Sequence, residues 1–241
     1  MAQHISRKEL KKDEIRDTFA HGAEAILSHQ QLTTVLLLVA LVIAVGILGW
    51  RWYSQRQDAL SSGAFATAMD AFQGTVARVG QPPAQPGAVT YPDDKTKYAD
   101  AATKFAGVAA KYPHTNDGVL AKYFAAVSDE KIGKDDDAKR LLAEVAGGSD
   151  ANYAAMARFE LAQIDDRTGQ GDAAAKLYQQ LIDKPAILVP KPVAMLALAQ
   201  HYAKSDPTQA AKLLGQIKTD YPDTPVADQA DQALSMLPGN S

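Results

Sequence analysis

Four pairs of a basic residue followed by a large apolar one stand at a fixed interval: Lys104-Phe105, Arg140-Leu141, Lys176-Leu177 and Lys212-Leu213, each thirty-six residues after the last (104, 140, 176, 212). An alanine precedes each pair by two residues, at Ala102, Ala138, Ala174 and Ala210. A second series, Phe124-Ala125, Leu161-Ala162-Gln163 and Leu198-Ala199-Gln200, recurs every thirty-seven residues between them. Two helices per unit follow, because the apolar residues return at helical spacing and breakers separate the segments. Gly133, Gly169-Gln170-Gly171 and Ser205-Asp206-Pro207 divide the first helix of a unit from the second; Pro113, Gly147-Gly148-Ser149, Pro185 and Pro222 divide each unit from the next. No single helix pair buries its own apolar face, so the units stack into an all-α helical-hairpin solenoid over residues 93–237, with Val226 to Leu237 as a capping helix. Phe105, Leu141, Leu177 and Leu213 are expected to fill the layer between paired helices, with alanine at the close crossings.

Upstream lies Leu32 to Trp50, nineteen residues without a charge or a proline. At about 1.5 Å per residue this run is long enough, as a helix, to cross a hydrocarbon core of about 30 Å. Residues 32–50 are therefore read as a single transmembrane helix, with 1–31 as its leading tail. Arg7, Lys8, Lys11, Lys12 and Arg16 precede the run, whereas only Arg51 and Arg56 follow closely, which directs the N-terminus to the cytoplasm and the repeats to the far side. Trp50, Arg51, Trp52 and Tyr53 form the expected membrane-interface edge there, and that edge is a poor signal-peptidase site, so the anchor is expected to be retained.

Within the tail, Ser6-Arg7-Lys8-Glu9 has the form of a capping box, followed by a moderately amphipathic pattern from Leu10 to Ile26. A helix lying on anionic lipid and an exposed solvated tail both fit that pattern. Residues 51–92 read as a juxtamembrane helix and a proline-rich loop: Leu60, Ala64, Ala68, Phe72, Val76 and Val79 keep helical spacing, and prolines at 82, 83 and 86 stop it. A helix restarts at Asp93-Asp94, whose charges suit an N-terminus. Residues 238–241 are expected to fray.

Composition removes several functions. The net charge of −3, with acidic and basic residues interspersed, leaves no basic face for nucleic acid, and the absence of cysteine excludes thiolate metal sites and thiol nucleophiles. Gly133-Lys134-Asp135 lacks the hydroxyl residue of a phosphate loop, and Asp135-Asp136-Asp137 lacks the alternating spacing of a calcium loop. His4, His21, His29, His114 and His201 are too scattered for a metal set. No catalytic, cofactor or metal residue is assigned, and no small-molecule substrate is implied. The remaining candidates are polar residues on the first helix of each unit: Asn152, Arg158, Gln163 and Gln200, placed to hold a partner's backbone or carboxylate in a peptide groove. Tyr98, Tyr123, Phe124, Tyr153, Phe159, Tyr178 and Tyr202 keep helical spacing and are read as inter-helix core.

These features resemble a tetratricopeptide repeat. Phe124-Ala125, Leu161-Ala162 and Leu198-Ala199 match the large-then-small pair of that family's first helix; Ala101 with Phe105, and Ala173 with Leu177, match the small and aromatic positions of its second; Pro113, Pro185 and Pro222 match its closing proline. Asp137 and Gln209 depart from the small position, the first-helix tryptophan is missing, and Tyr202 alone matches the first-helix tyrosine. Tyr112-Pro113-His114-Thr115 and Tyr221-Pro222-Asp223-Thr224 are near copies, and resemble the junctions of envelope repeat proteins related to outer-membrane assembly lipoproteins and the Tol-Pal coordinator.

With the anchor and Gly46 to Tyr53 leading into an alanine-rich helix through Phe72, the layout resembles the YfgM-like family, ancillary subunits of the SecYEG translocon. The resemblance implies a type II protein of the bacterial inner membrane, its repeats in the periplasm, associating with SecYEG, a PpiD-like chaperone and exported polypeptides. A scaffold for another envelope complex (outer-membrane, cytochrome or division machinery) fits the same architecture, and a membrane-bound hydrolase with a non-local site is the third reading.

Overall fold

The protein is described by a computed structural model covering residues 30–77 and 89–238. The capping box at Ser6, the rest of the leading tail before Gln30, Val79, the prolines at 82, 83 and 86, and the last three residues lie outside the described residues. The chain divides between Arg56 and Gln57 into two compact units. Helix α1 (Gln30–Phe72) runs across that division.

In the first unit, every large apolar side chain from Leu36 to Trp50 is at least half exposed. This helix is long and apolar enough to span a membrane, and among the described residues none buries its apolar surface within the unit.

The second unit starts with the final turns of α1 and continues through eight further helices: α2 (Asp94–Lys111), α3 (Asn116–Lys131), α4 (Asp135–Ala146), α5 (Ala151–Arg167), α6 (Gly171–Asp183), α7 (Lys191–Ser205), α8 (Pro207–Asp220) and α9 (Pro225–Ser235). From α2 onward each helix packs on its neighbours in sequence, while α3 also meets α5 and α7 meets α9. That is the contact pattern of stacked hairpins α3/α4, α5/α6 and α7/α8, closed by α9, and α1 from Gln57 joins α2 as the first hairpin through the rings of Phe65, Phe72 and Phe105.

The predicted helix ends have visible causes. Asp93 caps α2 through Oδ1, which accepts from Thr96 N at 2.6 Å, and Asp150 and Asp206 cap α5 and α8 in the same way. Gly133 and Gly169 take positive φ (77° and 79°) at the turns inside the second and third hairpins, a backbone state that glycine enters without steric cost. The two Tyr-Pro-x-Thr copies build one device. Thr115 Oγ1 accepts from Gly118 N (3.0 Å) and donates to Tyr112 O (3.1 Å), while Thr224 Oγ1 accepts from Ala227 N (3.2 Å) and donates to Tyr221 O (2.8 Å). Each threonine thus closes one helix and opens the next.

One helix boundary differs from expectation. The helical spacing predicted continuation through Val76 to Val79, but α1 stops at Phe72 and Thr75–Val76 forms a short strand, β1, parallel to Thr90–Tyr91, β2. Gly74 is the reason. A Cβ there would lie 2.6 Å from the Tyr91 ring, so only glycine lets the chain pass under that ring, and the β-branched Thr75 and Val76 then pair with the returning segment. Thr90–Tyr91, read as loop, is accordingly a strand.

The core corrects the repeat register. Phe105 is fully buried, but Leu141, Leu177 and Leu213 are only partly so. The buried large residues of the later units are one position on: Leu142 (0% exposed), Tyr178 (2%) and Leu214 (1%). Their small partners four residues earlier, Ala101, Ala138, Ala174 and Ala210, are all fully buried, and Val108, Val145, Leu181 and Ile217 extend each stripe by one turn. Second helices therefore carry a complete small–large–apolar stripe at i, i+4 and i+7. Asp137 and Gln209 do not occupy the small position; Ala138 and Ala210 do, and Ala174/Tyr178 replaces Ala173/Leu177. A thirty-seven-residue first interval (101 to 138) hid this, because the basic–apolar pairs advance by thirty-six.

That register has a measurable consequence. Leu142→Ala is expected to cost about 2–3 kcal/mol, since it opens a cavity in a closed layer, while Leu141→Ala costs about half as much. Denaturant unfolding of the two variants checks it, and equal losses would restore the thirty-six-residue register.

Candidate functional site

First helices (α3, α5, α7) present their alanines to the core, at Ala125, Ala162 and Ala199, which are at most 2% exposed. Their opposite edge carries a ladder of polar side chains bonded from one repeat to the next. Tyr123 on α3 donates to Glu160 Oε2 on α5 at 3.5 Å, and Arg167 at the end of α5 reaches back to Glu130 Oε1 at 2.5 Å and to Asp135 Oδ1 at 2.8 Å. Asp166 Oδ1 meets His201 Nδ1 on α7 at 2.7 Å. Both Tyr123–Glu160 and Glu130–Arg167 are separated by thirty-seven residues, so each rung joins a helical position to its counterpart one repeat on.

Burial sets the electrostatics of this ladder. Glu130's side chain is 8% exposed, whereas Arg167's is 49%, so the guanidinium lies at the rim and its partner inside. The hydrogen bond to Glu130, assisted by Asp135, raises the Arg167 guanidinium above its ordinary value. Burial pushes the Tyr123 hydroxyl well up, and the Glu160 carboxylate adds to the shift. On the second-helix side, Lys139 pairs with the buried Asp165 at 2.7 Å, binding α4 to α5. Together these contacts hold consecutive first helices at a fixed separation.

The four predicted groove residues are divided between two environments. Asn152 Oδ1 accepts from Ile187 N at 3.0 Å, pinning the turn between α6 and α7, and Arg158 donates from Nη2 to Ala146 O at 2.6 Å, closing the C-terminus of α4. Gln163 and Gln200 are exposed, on α5 and α7, thirty-seven residues apart. The aromatic residues read as core do line helix contacts. Phe65, Phe72, Phe105 and Phe124 form one cluster with centroids 5.3–6.2 Å apart, Tyr98 lies 5.5 Å from Phe72, and Phe159 lies 5.8 Å from Tyr178. A separate cleft of about 310 Å³ opens where the α2–α3 and α4–α5 turns meet, lined by His114, Asn116, Ser149 and Tyr153 among others. Among the described residues no three His, Asp or Glu side chains converge as a metal set.

The hairpin stack and its stripes agree with the sequence profile of the tetratricopeptide repeat-like domain family, which matches residues 28–187. The chain belongs to that family. Tetratricopeptide repeat-like folds typically serve as interaction scaffolds, consistent with protein partners. Two solved structures share the fold. One, a chain described as a kinesin light chain of Podosopora anserina with nearly identical TPR-like repeats, superposes with a TM-score of 0.54 at 16% identity over 74% of this chain and 85% of that one. A second crystal structure of those repeats gives 0.54 and 16%, over 74% and 84%. Among curated proteins none matches the chain.

The ladder residues Glu130, Glu160 and Arg167 carry no motif within their own helices that marks them in the sequence. Their signal was the repeat interval itself, since partners sit thirty-seven residues apart like Phe124 and Leu161.

Proposed function

We propose that this tetratricopeptide repeat-like chain is a membrane-anchored, periplasm-facing scaffold or chaperone-like adaptor whose first-helix face holds protein partners. One observation carries the reading: a stack of hairpins with Gln163 and Gln200 exposed in register follows a helix whose apolar surface is uncovered. Stacked helix pairs of this kind bind extended segments along their inner face. The five basic residues ahead of the anchor against Arg51 and Arg56 behind it support a cytoplasmic N-terminus in the bacterial inner membrane. Resemblance to YfgM-like proteins supports SecYEG, a PpiD-like chaperone and exported polypeptides as partners, with Trp50 to Tyr53 at the outer interface.

A reporter active only outside the cytoplasm, fused after Ser241, is expected to be active; an inactive fusion reverses the topology. Crosslinked complexes purified from membranes are expected to contain the translocon and export chaperones. Recovery of outer-membrane, cytochrome or division components in their place would transfer the scaffold to that machinery.

A further inference from the structure

The most exposed large apolar side chain among the described residues lies outside the long apolar helix. It is Ile187, 83% exposed, and its neighbour Leu188 is 51% exposed. Both stand at the tip of the turn that runs from Lys184 to Lys191 between α6 and α7. The turn is built to keep them there. Ala186 N donates to Val189 O at 3.2 Å, which closes a loop with Ile187 and Leu188 at its head. Val189 is buried in a core cluster with Ala155, Leu181 and Ala194, while Ile187 N is held by Asn152 Oδ1 at 3.0 Å. Pro185 and Pro190 stiffen the backbone on either side. A turn fixed at these points leaves its two aliphatic side chains in solvent.

Its place in the stack indicates what meets them. Near the start of its part in the second unit, α1 donates from Ser61 and Ser62 to Asp117 Oδ2 in the first turn of α3, at 3.1 and 2.5 Å. The cleft of about 310 Å³ then joins Asn116 to Ser149 at the α4–α5 turn, and Asn152 in the first turn of α5 reaches Ile187. The α2–α3, α4–α5 and α6–α7 turns therefore share one end of the stack, the end at which α1 enters it. Ser61 follows Trp50 by only eleven residues, so chain connectivity tethers this end beside the apolar run.

Charge points the same way. Lys184 and Lys191 flank the tip and are exposed, and the one carboxylate next to them, Asp183, accepts from Gln179 Nε2 at 2.9 Å. Aliphatic side chains between two lysines suit a lipid surface, where the side chains enter the acyl boundary and the ammonium groups stay among anionic headgroups. Protein hot spots favour Trp, Tyr and Arg, and residues 184–191 contain none of these.

We propose that the Ile187–Leu188 turn is a second membrane contact, dipping its apolar tip into the headgroup layer of an anionic bilayer with Lys184 and Lys191 on the phosphates. The contact rests on the membrane-anchored reading, because one short turn binds lipid weakly and the tether supplies its effective concentration. Attachment at two points stops the repeats swinging freely about the anchor.

The chain has no cysteine, so single substitutions place an environment-sensitive fluorophore at one site of the full-length protein. Leu188→Cys, with Ile187 left intact, is compared with Gln170→Cys on the exposed α5–α6 turn and with Val42→Cys in the apolar run. Each is reconstituted in phosphatidylcholine–phosphatidylglycerol bilayers carrying a lipid quencher near the headgroups. The label at 188 is expected to be quenched about threefold more than that at 170, and Ile187→Asp in the same background should reduce it to the level at 170. Reversing both flanking charges, Lys184→Glu with Lys191→Glu, should remove about half of the quenching, as should pure phosphatidylcholine. Equal quenching at 188 and 170 overturns the proposal, and so does quenching at 188 that survives Ile187→Asp. Emission at 188 that shifts to shorter wavelength without lipid quenching also overturns it, since the tip is then covered by protein or by a second copy. The label at 42 separates the two readings: quenched at 42 but not at 188, the chain keeps its anchor and loses the second contact; unquenched at 42, both readings fall.

Discussion

Phe105→Ala is expected to cost about 3–5 kcal/mol and to unfold the first hairpin before the rest of the array. Phe105 is fully buried, stacks on Phe124 at 5.3 Å between centroids, and touches Phe65 and Phe72 at 5.5 and 6.2 Å, so four of the six phenylalanines meet around it. Truncation leaves a cavity that three rigid rings close poorly, and it removes ring–ring contacts beyond the lost burial. In a chain this size the loss lowers Tm by about 10 °C. Because repeat stacks are nearly one-dimensional, hydrogen exchange should report lost protection in Gln57–Phe72 and α2 while α7 to α9 keep theirs. Uniform loss across all helices would mean that the hairpins unfold as one cooperative block.

Gly118→Ala is the second. A Cβ on Gly118 would lie 1.8 Å from the carbonyl oxygen of Tyr112 and 3.2 Å from Thr115 Oγ1. Backbone cannot yield as a flexible side chain does, so the first turn of α3 must shift, and with it the threonine cap and the carbonyl that receives the Thr115 hydroxyl. We expect a loss of about 3 kcal/mol, measured by denaturant unfolding, some of it from the cap. Ala227 holds the equivalent place three residues after Thr224, so Ala227→Gly at that junction should change stability by less than about 1 kcal/mol. A mild Gly118→Ala would show that the two junctions share one backbone path.

The architecture was legible because helical hairpins are local. Asp93, the Tyr-Pro-x-Thr copies, Gly133 and Gly169 act within a few residues of themselves, and their chemistry marks where helices begin and end. Phe124-Ala125, Leu161-Ala162 and Leu198-Ala199 could likewise be read from their spacing. The second-helix register could not, since basic–apolar neighbours repeat as faithfully as the buried stripe beside them and only packing distinguishes Leu141 from Leu142. Gly74 and the β1–β2 pair were missed for a related reason: a helical spacing through Val79 said nothing of the Tyr91 ring, fifteen or more residues away.

Asn152 and Arg158 were selected as groove residues on helical position alone. The structure uses them to bind Ile187 N and Ala146 O, while Gln163 and Gln200 remain exposed on the same set of helices. Which polar side chain is spent on the protein's own backbone depends on loops that approach from other repeats.

By itself the sequence determined the apolar run from Leu32 to Trp50, the hairpin period and the helix caps, because these depend on composition and on interactions a few residues apart. Only the tertiary structure decided which edge of each second helix faces the core, and that Tyr123 meets Glu160 while Arg167 meets Glu130. Contacts between residues thirty-seven apart exist once the repeats have stacked, and a carboxyl loses its water only when the neighbouring helix covers it.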